Sequence, residues 1–162
     1  RAAGAPAQLQ AATLRLRVPT LPYATSCGQV VKSQLEAVGF KVALDSLEFP
    51  AAWLTTVFKG GDFDMSIVAH VEPRDLKAVF GNPEYYTHYG TPEIQALFKA
   101  ADEGSSDDQV TNLKKAARLI AEDAAGDVLF LLPNLMVADK GITGLPKNGI
   151  AVAFDLSKLA KG

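Results

Sequence analysis

Short apolar runs alternate with amphipathic stretches through the first half of the chain. Thr13 to Val18 and Phe40 to Leu47 have the pattern of strands, and Met65 to Ala69 is short enough to be a strand buried on both faces. Apolar residues at helical spacing run from near Gly28 to Gly39, and again over the stretch that opens at Pro50. This alternation predicts a βαβαβ order, in which the crossover helices connect parallel strands.

Two stronger helical patterns occupy the second half. One begins at Thr91, where a capping side chain precedes Pro92, and the other begins at Ser106, which forms a capping-box pattern with Gln109. The apolar run "DVLFLLP", from Asp127 to Pro133, is predicted to be a fourth, buried strand. The predicted fold class is therefore α/β, with a mainly parallel sheet flanked by helices.

The predicted topology indicates where a ligand would bind. In open parallel sheets, ligands bind beyond the carboxyl ends of the strands, where the strand order reverses. Right-handed crossovers give the order 2-1-3, which places this point between the first and third strands. The loops that follow those strands run from Pro19 to Ser26 and from His70 to Gly90. The candidate ligand-binding residues in them are Tyr23, His70, Glu72, Arg74, Asp75, Tyr85 and Tyr86.

A solvent-exposed loop is the plainer interpretation of the same residues. Charged clusters are common in exposed loops, and loop tyrosines often pack their rings while their hydroxyl groups reach water. However, a connection of roughly twenty residues exceeds the usual length, and such loops are commonly functional. Both interpretations stay open at this point.

Composition and charge narrow the classes of partner. Sixteen basic and eighteen acidic residues give a net charge of -2, and no basic stripe indicates binding to nucleic acid or to an anionic membrane. No apolar run approaches the roughly 18–20 residues that span a bilayer, and no signal segment opens the sequence. We therefore expect a soluble chain. The His, Asp and Glu residues lack metal-ligand spacing, so neither a metal nor another cofactor is expected.

A catalytic alternative depends on Cys27, the single cysteine, and on the two histidines. Cys27 lies near a predicted helix start, where a thiol can be activated. The alternative function is thus a small α/β hydrolase or transferase that uses Cys27 or a histidine. The spacing of these residues matches no hydrolase motif, and we assign no catalytic residue.

An ordered set of segments resembles a known family. The segments are "SQLEAVGFKVALDSLEFPAAWLTTVFKGGDFDMSIVAH", then "TPEIQALFKAAD", "LKKAARLIAEDAAGDVLFLLP" and the closing "FDLSKL". Together they resemble the C-terminal lobe of the bacterial extracytoplasmic solute-binding proteins of the peptide/nickel (family 5) type, the receptors of ABC importers. The resemblance covers nearly all of the chain from about Thr13.

The resemblance implies a periplasmic-binding-protein-like lobe within a larger clamp. Residues 1–12 would be a flexible linker, residues 13–146 the C-terminal lobe, and residues 147–162 a return segment toward an N-terminal lobe that the sequence does not include. The clamp would close on a peptide or other small polar solute and deliver it to the membrane permease without bond chemistry. The implied location is extracytoplasmic, with a lipid anchor on the complete protein. A lobe that has become a sensor or docking module also fits the sequence.

One departure from the family concerns the ligand. Peptide-binding members usually carry Gly-Trp at the end of the third strand, followed closely by an Asp that pairs with the peptide's amino terminus. Here Ala69 and His70 hold the first two positions, and the acid would fall near Pro73, with Glu72 and Asp75 as displaced candidates. We therefore expect a polar solute that need not be a peptide.

Overall fold

The chain divides into two units, Arg1–Ala69 and His70–Gly162. The computed structural model describes residues 12–71, 75–133, 135–146 and 155–162.

Two parts of the predicted domain layout fall largely outside the described residues. These are residues 1–11 of the linker and residues 147–154 of the return segment. The predicted domain boundaries therefore stay predictions.

The first unit is built around a parallel sheet of three strands. The central strand pairs with both others, which gives the order β2-β1-β3 and confirms the predicted order and α/β class. The elements are β1 (Thr13–Pro19), α1 (Pro22–Ala37), β2 (Lys41–Leu47), α2 (Ala51–Trp53, continued as π-helical turns over Leu54–Lys59) and β3 (Met65–Ser66).

Helix α1 covers one face of this sheet. Leu16 and Val18 of β1 are fully buried there, together with Ala24 of α1. Gly28 lets the helix come close, since a Cβ at that position would lie 3.1 Å from the Leu44 side chain. Successive side chains of β1 point to opposite faces of the sheet, so the arginines of "LRLRV" lie on the face opposite the buried residues.

An ion-pair network on that opposite face fixes the approach to β3. The Arg15 guanidinium donates to both carboxylate oxygens of Asp64, at 2.8 and 3.1 Å, and the Arg15 backbone N–H donates to Asp64 Oδ2 at 2.7 Å. Arg17 reaches Asp45 of β2 at 2.7 Å and Asp62 at 3.1 Å. The aspartates of the "GDFDM" motif therefore anchor the segment before β3 to β1.

Two details of the first unit differ from the sequence prediction. Helix α1 begins at Pro22 rather than near Gly28, because a proline in the first helical turn lacks only an N–H that would have no partner. Strand β3 ends at Ser66 rather than Ala69. Continuing its register would set Val68 beside Pro19, which has no N–H to donate to the ladder.

The second unit is mainly helical. Its apolar core is formed by Ile94 and Phe98 of one helix and by Ala116 and Ile120 of the next, all nearly or fully buried. The elements are α3 (Asp75–Phe80), α4 (Pro92–Glu103), α5 (Ser106–Glu122), β4 (Ile142–Thr143) and β5 (Ala160–Lys161). Among the helices described in either unit, none has the length and apolar character needed to cross a bilayer.

Helix starts in this unit follow their sequence signals closely. The Thr91 hydroxyl accepts the Ile94 N–H at 3.3 Å, which confirms the predicted cap of α4. At α5 the capping box is formed by Ser105 and Asp108, one residue before the predicted pair. The shift has a simple reason: aspartate can return the hydrogen bond as well as glutamine.

The prediction of a strand from Asp127 to Pro133 is wrong. In the structure these residues form neither helix nor strand, and Val128 and Leu131 are 78% and 89% exposed. An apolar strand needs a neighbour for its backbone, and none pairs with it within the described residues. Further along, β5 pairs antiparallel with β4.

Candidate functional site

Tyr23 lies in the first turn of α1, not in the loop predicted for it. Its ring packs against the core of the first unit, and its hydroxyl accepts a hydrogen bond from the Ala69 N–H at 2.9 Å. Tyr23 therefore fixes the backbone that follows β3, at the residue just before His70. Its observed role within this unit is to position that backbone.

His70 is the centre of a polar cluster in the second unit. Its Nε2 lies 2.9 Å from the Tyr86 hydroxyl, and its Nδ1 lies 3.5 Å from Asp75 Oδ2. The first distance is that of a good hydrogen bond, whereas the second indicates mainly electrostatic attraction. Because Asp75 faces Nδ1, the tautomer with its proton on Nδ1 is favoured, and Nε2 then accepts the Tyr86 hydroxyl proton.

Aromatic rings extend this cluster. The imidazole of His70 lies nearly parallel to the Tyr86 ring, at an interplanar angle of 7° with centroids 6.2 Å apart. The Tyr85 and Tyr86 rings follow at 4.9 Å, tilted by 52°. Tyr86 is buried, Tyr85 is half-buried, and the His70 and Asp75 side chains stay 30% and 22% exposed. The cluster is thus a partly covered surface with polar groups within reach of solvent.

Local hydrogen bonds hold the tyrosine loop, residues 81–90, in one conformation. The Glu84 N–H donates to Asn82 Oδ1 at 3.0 Å, and the His88 N–H donates to the Tyr85 carbonyl at 2.8 Å. The Thr87 hydroxyl donates to the Val79 carbonyl of α3 at 2.5 Å. These bonds fix the backbone that carries Tyr85 and Tyr86, although the loop has no regular secondary structure.

Tyr89 ties the end of the same loop to the end of α5. Its hydroxyl donates to Asp123 Oδ2 at 2.6 Å, and its ring meets Phe80 edge to face. Burial and this hydrogen bond together raise the pKa of Tyr89 to about 12. The tyrosine loop is therefore attached to α3 through Thr87 and to the end of α5 through Tyr89.

The structure brings together four of the seven predicted site residues: His70, Asp75, Tyr85 and Tyr86. Tyr23 belongs to the first unit. Glu72 and Arg74 lie outside the described residues. Sequence reasoning missed helix α3, which places Asp75 beside His70 within what was predicted to be a long loop.

The four clustered groups suit recognition of a polar solute. A carboxylate, an imidazole and phenol hydroxyls form hydrogen bonds with amide, ammonium and hydroxyl groups, and the rings supply apolar contact. Part-burial strengthens such contacts because it limits competition from water. The cluster has the chemistry of a binding surface.

Other candidate sites are weaker. Cys27 is a half-buried residue of α1, in the first unit, whereas both histidines lie in the second. No group of three or more His, Cys, Asp and Glu residues suited to a metal ion occurs in the part of the chain that the structure describes. A depression of about 290 Å³ between α3 and α4 contains none of the predicted site residues, and its Lys77 and Asp102 pair with each other.

Two solved structures share the fold of this chain, and each is named as a peptide-binding protein. AppA from Clostridium difficile, named as a peptide binding protein, matches 93% of this chain and 33% of its own, with a TM-score of 0.77 and 22% identity. The chain shares the fold of part of that protein. The oligopeptide-binding protein AppA from Bacillus subtilis, in complex with a nonapeptide, matches 70% of this chain and 24% of its own, with a TM-score of 0.59 and 21% identity.

These matches confirm at the level of the fold the resemblance drawn from the sequence. The chain spans about a quarter to a third of the length of the two solved chains. No protein-family model and no curated protein matches it.

Proposed function

We propose that this chain is the ligand-binding lobe of an extracytoplasmic solute receptor, which delivers a peptide or other small polar solute to an ABC importer. The receptor closes its cleft around the solute and performs no bond chemistry. The complete protein would be lipid-anchored on the outer face of the cytoplasmic membrane, where it meets the permease.

The observation that carries the proposal is the fold match over 93% of the chain to a protein named as peptide-binding. A second match is to an oligopeptide-binding protein whose structure contains a nonapeptide. Fold alone does not fix function. The proposal therefore also depends on the chemistry of the His70 cluster.

The His70 cluster supports a polar ligand. Asp75 can accept hydrogen bonds from amide or ammonium groups, and His70 and Tyr86 already hold one another in place. Such preorganised groups lose little freedom on binding, which raises affinity.

Cleft closure follows from the proposed clamp. A solute that contacts two lobes gains contacts in the closed state that the open state lacks, and this difference shifts the population toward closure. On this view the 162 residues supply one side of the cleft. The isolated chain should bind the solute weakly, because half of the contacts are missing.

Calorimetry with the complete receptor tests the proposal. Dipeptides, tripeptides and a nonapeptide would be titrated into the wild type, Asp75→Asn, and the control Asp107→Asn, which makes the same charge change at the exposed start of α5. We expect Asp75→Asn to weaken binding by about tenfold or more, the typical effect of losing a hydrogen bond to a charged group. The control should bind like the wild type.

Two results would contradict this function. One is the absence of binding to any peptide or small polar solute by the complete receptor. The other is turnover of a bound peptide, which would favour an enzyme. If peptides bind but Asp75→Asn matches the control, the receptor function stands and the His70 cluster is not its site.

A further inference from the structure

The two ring nitrogens of His70 face different kinds of group. From α3, Asp75 Oδ2 lies 3.5 Å from Nδ1, and from the tyrosine loop the Tyr86 hydroxyl lies 2.9 Å from Nε2. Among the described residues, no other hydrogen bond or ion pair of the imidazole occurs. Glu72 and Arg74, the other charged residues between positions 70 and 75, lie outside the described residues. Asp75 and Tyr86 therefore set the environment of His70 as it is described.

With a neutral imidazole, Asp75 alone gives the cluster a charge. A carboxylate has about four lone-pair sites, so an N–H at Nδ1 occupies only part of its accepting capacity. The Asp75 side chain is 22% exposed, which leaves it within reach of a solute. In this state the cluster is suited to a cationic group.

A proton on Nε2 changes the cluster in two ways. The imidazolium carries a positive charge, which offsets the charge of Asp75 beside it. The hydrogen bond with Tyr86 also reverses, because Nε2–H now donates and the hydroxyl oxygen accepts. The protonated cluster has therefore lost the net negative charge that attracts a cation.

Packing keeps the imidazole beside Asp75. Its ring lies at 7° to the ring of Tyr86, which is itself buried. The Tyr23 hydroxyl accepts the N–H of Ala69, the residue just before His70. The His70 side chain is 30% exposed, so water can deliver and remove its proton.

A proton on His70 and a cation on Asp75 compete with each other. The two positive charges would lie only a few ångströms apart, and like charges within about 4–6 Å disfavour one another. Such coupling is reciprocal: if the proton weakens binding of the cation, the cation displaces the proton. Histidine is the side chain that ordinarily changes its charge between about pH 5 and 8.

We propose that His70 makes solute binding proton-linked: protonation of its imidazole weakens the binding of a cationic group at Asp75, and solute binding releases that proton. This inference rests on the proposed receptor function and adds a regulation of its site by pH. Such a receptor loads its solute at neutral pH and loses it on acidification.

Calorimetry of the complete receptor at pH 7 and at about pH 5.5 tests the linkage. The probe is the histidine-free dipeptide, tripeptide or nonapeptide that binds most tightly in the titrations above, since peptide termini keep their charges over this range. We expect the Kd of the wild type to rise about fivefold or more at the lower pH. In His70→Gln, which cannot take up the proton, the Kd should change by less than about twofold.

The second histidine provides the control. His88 is exposed and forms no ion pair within the described residues. His88→Gln removes the same titratable group outside the cluster, and it should respond to pH like the wild type.

Proton release gives a second readout, which needs no variant. Near pH 6.5, the heat of peptide binding would be measured in two buffers that differ in ionisation enthalpy. The wild type should release up to one proton per bound peptide, whereas His70→Gln should release none.

Three results would overturn the inference: a wild-type Kd that is equal at both pH values, binding without proton release, or a pH response that His70→Gln retains. A retained response that Glu72→Gln removes would assign the proton to Glu72 instead. Absence of peptide binding at both pH values would contradict the proposed receptor function, and the linkage with it. Binding that is independent of pH would contradict the linkage alone.

Discussion

At the scale of single residues, Asp64 shows how a short motif fixes a strand end. Hydrogen bonds from Arg15 are the main reason that the pKa of Asp64 is lowered to about 2. In the unfolded chain this carboxyl group titrates near its ordinary value of about 4. The pair therefore stabilises the first unit fully above about pH 4, and this stabilisation is lost as the pH falls toward 2.

Asp64→Asn should reproduce this loss at neutral pH. We expect the free energy of unfolding to fall by roughly 1 kcal/mol at pH 7, because water screens a partly exposed pair, and the difference from wild type to vanish only below about pH 2. Urea unfolding followed by the fluorescence of Trp53, the single tryptophan and a buried one, measures this. Asp139→Asn, at an exposed position, is the control, and an equal effect there would contradict the role of Asp64.

Tyr89 gives a second prediction at this scale. In the folded protein the pKa of Tyr89 is raised to about 12. Its contribution to the free energy of unfolding is therefore lost as the pH rises from about 10, the ordinary pKa of tyrosine, toward 12. In an alkaline titration of tyrosinate absorbance, the wild type should differ from Tyr89→Phe by a transition near pH 12, and this transition should move to lower pH in Asp123→Asn. Identical absorbance changes near pH 12 in the wild type and Tyr89→Phe would contradict the role of Tyr89.

At the scale of elements, the sequence predicts structure correctly where that structure depends on neighbouring residues in the chain. The start of α4 was predicted from Thr91 and Pro92, because a cap and a first-turn proline act within one turn. Helix α3 was missed because six residues are too few to show a helical repeat. The end of β3 was missed because it depends on Pro19 of a neighbouring strand, which no local pattern reveals.

Gly126 tests the packing between elements. Gly126→Ala places a methyl group against the Phe80 ring, and we expect a loss of about 1–3 kcal/mol in the free energy of unfolding of the second unit. Thermal unfolding followed by circular dichroism measures it. The smaller side chain of Phe80→Leu should recover part of this loss in the double variant. If the loss of stability in the double variant equals the sum of the losses in Gly126→Ala and Phe80→Leu, a clash at Phe80 is contradicted.

At the scale of the whole molecule, the α/β class and the 2-1-3 order could be predicted because crossover handedness leaves few choices. From the sequence, His70, Asp75, Tyr85 and Tyr86 were expected only to belong to the same loop. Its geometry depends on α3 and on the hydrogen bonds of the tyrosine loop. The strand predicted at "DVLFLLP" failed for a different reason: its pattern is that of a buried strand, but no partner occurs within the described residues.

In the proposed receptor, this lobe is one side of a clamp that closes on a solute. Small-angle X-ray scattering of the complete receptor, with and without a peptide shown by calorimetry to bind, measures this closure. We expect a smaller radius of gyration with peptide bound, and no such change for Asp75→Asn at a peptide concentration that saturates only the wild type. An unchanged radius of gyration at full occupancy of the wild type would contradict it.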